Sequence, residues 1–215
     1  MRLFDVVRHL MLREFINLNR DKIKALFILY GALWAIATSI VFIAGIAKEK
    51  FQASIWLLVI WYILIVFTTT SLLVLMAIHK GYSEFSRKRK VFEQENWSEF
   101  LSALEFETAY THQKDKRLFT QEAKLGHIKG FLTVADISED KKKYVQFRFY
   151  VGNESINRNA YRALSKQLST YNGGLEYGYL YKYIKATNIL SARQIEQELN
   201  EFVEFLEKKG LRQSV

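Results

Sequence analysis

Residues 54 to 78 read SIWLLVIWYILIVFTTTSLLVLMAI, without one charged side chain. A bilayer core about 30 Å thick takes about 20 helical residues to cross, so this stretch is long enough to span. A second uncharged stretch lies upstream, where positions 25 to 47 read ALFILYGALWAIATSIVFIAGIA. Inside a soluble protein two such helices would need covering on every side, and a chain of 215 residues leaves too little protein to do it. The pair is therefore predicted to form a transmembrane helical hairpin, with spans at 25–47 and 54–78 and a short KEKFQ turn between them.

The charges agree with that reading. A net charge of +9 spread evenly would suggest a nucleic-acid binder, but it is not spread evenly. Residues 1–90 hold 13 Lys or Arg against 5 Asp or Glu, whereas residues 91–215 hold 18 against 17. Arg2, Arg8, Arg13, Arg20, Lys22 and Lys24 precede the first span, and Lys80 and the SRKRK run at 86–90 follow the second. Only Lys48 and Lys50 lie between the spans, so the positive-inside rule puts both termini on the cytoplasmic side. SRKRK then reads as a topology determinant that also touches anionic lipid.

Each span carries one further pattern. Gly31, Ala35 and Ser39 recur every four residues and stack on one helix face, where another helix can approach closely. Thr68, Thr69, Thr70 and Ser71 form a run of hydroxyls that can bond to their own backbone, pair across helices, or line a narrow aqueous path. No Asp, Glu, Lys or Arg lies inside either span, so a proton relay lacks its usual chemistry.

Outward from the hairpin, residues 1–24 place Leu3, Val7, Leu10, Met11, Phe15 and Leu18 at helical spacing, which predicts an amphipathic helix on the cytoplasmic surface. Charges interrupt it throughout, so it does not read as a cleaved leader. Residues 79–95 continue as a juxtamembrane helix, and residues 96–215 read as a soluble α+β unit, an antiparallel sheet with flanking helices. Asn96 and Glu99 have capping-box spacing ahead of an apolar stripe of Trp97, Phe100, Leu101 and Leu104 that runs to about Thr111. GHIKGFLTVADI and KKYVQFRFYV, 126–137 and 142–151, predict a hairpin around SEDK, and LFTQEAKL at 118–125 can add a strand. Asn157 opens a helix with Tyr161, Leu164, Leu168 and Tyr171 facing inward, closed by Gly173 and Gly174. Ser191 and Gln194 cap a last helix that ends at Gly210, with Ile195, Leu199, Phe202, Val203 and Leu206 on one side.

Between those helices LEYGYLYKYIKATNI, 175–189, puts Tyr177, Tyr179, Tyr181 and Tyr183 on every second position. In an extended chain four rings line one surface, while Leu180, Lys182 and Ile184 line the other. The rings can pack under the two helices, or, if Leu180 and Ile184 meet the helices, they look outward. The surrounding segment is the basic part of the soluble unit, since residues 141–185 hold 9 cations against 2 carboxylates. Cations interleaved with aromatic rings are how single-stranded nucleic acids are held, by phosphate pairing and base stacking. KKK at 141–143 reads as the solvated end of the hairpin.

Catalytic constellations are missing from the chain. There is no GxxxxGK, GxGxxG or GxSxG, and His112 and His127 have no spaced metal partners. Cysteine and proline are absent. A binding protein is expected rather than an enzyme, with no cofactor and no metal.

In this layout the chain resembles the small two-span membrane effectors that accompany type III CRISPR systems and bind cyclic tetra-adenylate through a cytosolic domain. The resemblance covers the whole architecture, from basic amphipathic start to compact α+β domain, and carries no residue motif. It implies an antiphage homo-oligomer, a tetramer, that holds a cyclic oligonucleotide rather than duplex nucleic acid and permeabilises the membrane lipid. From the residues themselves, ligand contact is expected at Arg148 and Tyr150, then Arg158, Arg162, Tyr179, Tyr181 and Lys182. Two other readings stay open: a membrane-anchored adaptor with no small ligand, and a holin-like toxin, although a simple hole-former does not need so large a folded domain.

Overall fold

The computed structural model describes residues 3–47, 55–115, 118–138, 141, 143–151, 158–176, 178–186 and 189–211, with side chains from residue 10 onward except at 47 and 158–163. The chain divides into two compact units, Met1–Ser86 with His112–Thr120, and Arg87–Thr111 with Gln121–Val215. The second unit thus takes up the last turns of the juxtamembrane helix, and a loop of the predicted soluble part belongs with the spans.

In the first unit α1 (Leu3–Leu18) and α2 (Arg20–Ala47) meet at Asn19, and α3 starts at Ile55 and runs to Phe92. Span and juxtamembrane segment are one helix, because nothing in HKGYSEFSRKRK breaks it: no proline, and mostly side chains that tolerate helix well. Both α2 and α3 are long and apolar enough to cross a membrane. Only 6% and 11% of their most apolar windows are buried by the chain itself, so neither is an internal core helix. Gly31, Ala35 and Ser39 face α3, as the spacing predicts. The Ser39 hydroxyl lies 3.0 Å from the Tyr62 hydroxyl, which donates to the Ala35 carbonyl at 3.0 Å. Within the hydroxyl run Thr69 bonds back to the Ile65 carbonyl at 2.6 Å, Thr68 is exposed and Ser71 half-buried. Thr70 is 1% exposed against Gly31.

The amphipathic reading of residues 1–24 needs correcting at one position. Phe15 is sealed, with ring centroids 5.4 to 6.0 Å from those of Phe119, Phe85 and Tyr82, and the missing side chain at Gly81 leaves room for it. Leu10 of the same stripe is exposed, and the side chains of Leu3 and Val7 lie outside the described residues. Phe15 is therefore core of this unit and not lipid contact. Asn19 fastens the loop: its side chain accepts from Thr120 N at 2.6 Å and donates to Thr120 O at 3.3 Å, much as a strand partner does.

The second unit is a six-stranded antiparallel sheet with three helices. Its strands are β1 (Glu107–Thr111), β2 (Gln121–Ile128), β3 (Phe131–Ile137), β4 (Tyr144–Tyr150), β5 (Gly173–Glu176) and β6 (Tyr179–Lys185), in the order β1-β2-β3-β4-β6-β5. The helices are α4 (Glu95–Ala103), α5 (Arg158–Thr170) and α6 (Ala192–Lys208). An α+β unit with an antiparallel sheet and flanking helices is what the sequence predicts, but four local features differ.

The helix expected to reach Thr111 stops at Ala103. Phe106 N bonds Leu101 O at 2.8 Å and Glu105 N bonds Ser102 O at 3.1 Å, with Glu105 at φ 53°, the double bond pattern that closes a helix through a left-handed residue. Residues 107–111 are then free to pair as β1. Asn96 does not cap α4: Gln94 occupies the cap position without a side-chain bond, and Asn96 instead donates to Leu190 O at 2.9 Å. GHIKGFLTVADI is two strands rather than one, because Lys129 and Gly130 both take positive φ in a two-residue turn between the paired Ile128 and Phe131. Gly173 and Gly174 open β5 instead of closing the preceding helix, and β5 pairs back on β6. The Ser191–Gln194 capping box and the stop at Gly210 (φ 73°) are as predicted.

One face of the sheet carries Phe131, Thr133, Ala135, Ile137, Val145, Phe147, Phe149, Leu180 and Ile184, all buried. Trp97 and Phe100 of α4 meet Phe147 at 6.1 and 5.9 Å between ring centroids, and Phe202 of α6 meets Phe149 at 5.3 Å. Ile195, Leu199, Phe202, Val203 and Leu206 are all buried, as the stripe on α6 predicts.

Candidate ligand face of the sheet

Leu180 and Ile184, 0% and 2% exposed, decide which way β6 faces. Strand alternation then turns Tyr179, Tyr181 and Tyr183 to the opposite side, where all three are half-buried. Their cross-strand partners on β4 are Tyr150, Arg148 and Gln146, with Tyr144 opposite Lys185. The outer face of these two strands is thus tyrosine, arginine and glutamine. Tyr177 lies outside the described residues.

The rings form two short rows. Tyr150 and Tyr179 have centroids 6.0 Å apart, Tyr181 and Tyr183 5.1 Å, and Tyr144 and Tyr183 6.1 Å. Gly174 on edge strand β5 lets Tyr181 lie across it, since a Cβ there would come within 2.5 Å of the Tyr181 ring carbon Cζ. Cations sit over the rings: Lys141 Nζ is 4.4 Å from the Tyr183 centroid, and the Arg148 guanidinium carbon is 5.7 Å from that of Tyr179. Such contacts contribute about 0.5 to 1 kcal/mol at exposed positions and hold both groups in place.

On the same face a polar chain runs beside the rings, since Asp136 of β3 is the cross-strand partner of Gln146. Lys88, near the end of α3, pairs with Asp136 of β3 at 2.6 Å, and the two side chains are only 3% and 5% exposed. The second Asp136 oxygen lies 3.7 Å from Arg148 Nη2. Arg148 Nε donates to Gln146 Oε1 at 2.9 Å, and Gln146 Nε2 donates to the Tyr183 hydroxyl at 3.4 Å. Asp136 thus pairs with both cations, with Lys88 at the shorter distance and with Arg148 at the longer one, and the guanidinium is oriented by this pair and by Gln146. Tyr179 donates to the Glu176 carboxylate. Burial, and then this hydrogen bond, push its phenol up to about 12, against the opposing charge of Arg148. At neutral pH it is an uncharged ring.

Of the residues expected to contact ligand, Arg148, Tyr150, Tyr179 and Tyr181 come together on this face. Lys182 does not join them. It lies on the helix side of β6, 3.3 Å from Glu198 of α6 and 5.8 Å from the Phe202 centroid, and is 6% exposed. Alternation alone puts it opposite the tyrosines, and the carboxylate on α6 compensates its burial. Arg158 and Arg162 fall on the first turns of α5, with side chains outside the described residues. Sequence reasoning passed over Gln146, Asp136 and Lys88. A carboxylate inside the apolar strand FLTVADI was a signal that some cation meets it, but only the fold names Lys88. No protein-family model, curated protein or solved structure matches this chain.

Proposed function

We propose that this chain is a membrane-anchored receptor for a small phosphate-bearing nucleotide, a cyclic oligoadenylate, and that an oligomer of it permeabilises the bacterial inner membrane in antiphage defence. The observation that carries the reading is the outer face of β4 and β6, where Tyr150, Tyr179, Tyr181 and Tyr183 stand beside an oriented Arg148. Bases stack on such rings at about 1 to 3 kcal/mol each, and the guanidinium suits a phosphate oxygen. The two-span architecture and the basic flanks support anchoring with both termini in the cytoplasm. A single hairpin encloses no path, so permeabilisation needs several copies, and a symmetric cyclic ligand suits a ring of identical subunits, a tetramer for cyclic tetra-adenylate. The ligand opens the membrane part only by binding the open arrangement better than the closed one.

The test is equilibrium binding of labelled cyclic tetra-adenylate to the full-length chain in nanodiscs, followed by dye release from vesicles carrying it. Saturable binding at micromolar ligand, with release that depends on ligand, is expected. No binding at that concentration removes the nucleotide and leaves the adaptor reading; release without ligand favours the holin-like toxin.

A further inference from the structure

The tyrosine face has a cation at each end. Lys141, in the turn before β4, is exposed, and its ammonium lies 4.4 Å from the Tyr183 centroid and 6.0 Å from that of Tyr144. Among the described residues no carboxylate stands within ion-pair distance of it. The turn itself, SEDKKK at 138–143, holds three lysines against two acids, so its own neighbours leave one positive charge over. Arg148 marks the other end, with its guanidinium carbon 5.7 Å from the Tyr179 centroid. Tyr179 and Tyr183 are four residues apart on β6, which at about 3.3 Å per residue separates the two stations by roughly 13 Å.

Both cations keep donors for a ligand. A guanidinium has five N–H groups, and Arg148 gives one to Gln146 and turns one toward Asp136, which Lys88 also holds. The Lys141 ammonium rests on ring faces and can donate outward. Charge on the outer side of β3 to β6 agrees: Asp136 is offset by Lys88, and Glu176 alone stands against Arg148, Lys141 and the exposed Lys185 opposite Tyr144, an excess of two. We infer that the ligand of this face presents two separated phosphates, one to Arg148 and one to Lys141, with bases over the tyrosines between them. This rests on the nucleotide reading and narrows it to an oligonucleotide, because the single phosphate of a mononucleotide reaches one station only. Two phosphodiesters, with one negative charge each, match the excess of two. Lys141 is then a binding residue, although a place in a run of lysines makes it read as a solvated hairpin end.

The experiment measures binding of labelled cyclic tetra-adenylate to the full-length chain in nanodiscs, with unlabelled cyclic tetra-adenylate or AMP as competitor. AMP is expected to compete at least about tenfold more weakly, since it lacks one charge-assisted bond. Lys141→Gln should weaken binding of cyclic tetra-adenylate by about the same factor, and Lys141→Arg, which keeps the charge, should retain it. Lys129→Gln removes an equal charge from the β2–β3 turn, where Lys129 pairs with Glu204 of α6, and is expected to leave binding intact. Equal losses from Lys141→Gln and Lys129→Gln, or competition by AMP as strong as that by cyclic tetra-adenylate, overturn the two-phosphate site while the nucleotide reading stands. If the unsubstituted chain does not bind cyclic tetra-adenylate at all, the nucleotide reading falls and this inference falls with it.

Discussion

The two faces of the six-stranded sheet are built from the same strands by the same alternation, yet they do opposite things. On β4 the inner set is Val145, Phe147 and Phe149, all buried under helices, and the outer set is Tyr144, Gln146, Arg148 and Tyr150. On β6 the inner set is Leu180, Lys182 and Ile184 and the outer set Tyr179, Tyr181 and Tyr183. Phenylalanine fills the covered side and tyrosine the open one. The difference is one hydroxyl, which must find a partner when buried and can reach water at a half-exposed surface. That face keeps its rings half-buried and orients an arginine among them, which is the feature the proposed nucleotide reading rests on.

The sharpest way to break this contrast is to truncate a ring on each side. Phe202→Ala on α6 removes the contact with Phe149 and should cost about 3 to 5 kcal/mol, read from denaturant unfolding of the full chain in detergent. Tyr181→Ala on the open face should cost well under half of that; equal losses would mean that both faces are core.

Next in size is the buried ion pair at the edge of the tyrosine rows. Asp136→Ala leaves Lys88 buried and unpaired, and should cost roughly 3 kcal/mol, whereas replacing both partners by apolar residues recovers most of the loss. If the double variant is no better than the single one, the pair holds α3 to β3 by something other than charge. Arg148→Ala tests the ligand side directly. It should weaken cyclic oligoadenylate binding by roughly 1.5 to 3 kcal/mol and change stability little, because its carboxylate contact is the longer one. Unchanged affinity removes Arg148 from the site.

Smaller effects concern Tyr179 and the surface. Its phenol is raised in the folded chain, so the stability it contributes is fully present below its ordinary value of 10.0 and is lost as pH climbs toward about 12. Tyr179→Phe should flatten the decline of stability across that window, and an unaltered alkaline profile would show that the hydrogen bond to Glu176 does not matter. Least of all, Lys129→Ala should cost below about 1 kcal/mol, since its 2.8 Å pair with Glu204 is at the surface and screened by salt.

Local chemistry was legible wherever it decided the matter alone. The capping box of Ser191 and Gln194 and the glycine stop at Gly210 need only neighbouring residues, and both are as the sequence predicts. At Glu105 the same kind of helix stop is made by a residue that resists positive φ, and no local signal announces it. The residues after it become β1 only because β2 offers an edge with which to pair. In the candidate site, the alternation of Tyr179, Tyr181 and Tyr183 was visible at once, and the same alternation puts Lys182 on the other side, although it was expected to contact ligand beside them.

By itself the sequence determined that two charge-free stretches are long enough to span a bilayer, that cations flank them, and that one strand segregates tyrosine from leucine and isoleucine. These follow from period and composition, which neighbours along the chain carry. Only the tertiary structure decided which side of that strand the helices cover, and that Lys88 meets Asp136 beside Arg148. Packing sets those outcomes: an apolar face is buried by whichever helix reaches it, and a buried charge is matched by whatever opposite charge the fold carries to it from far along the chain.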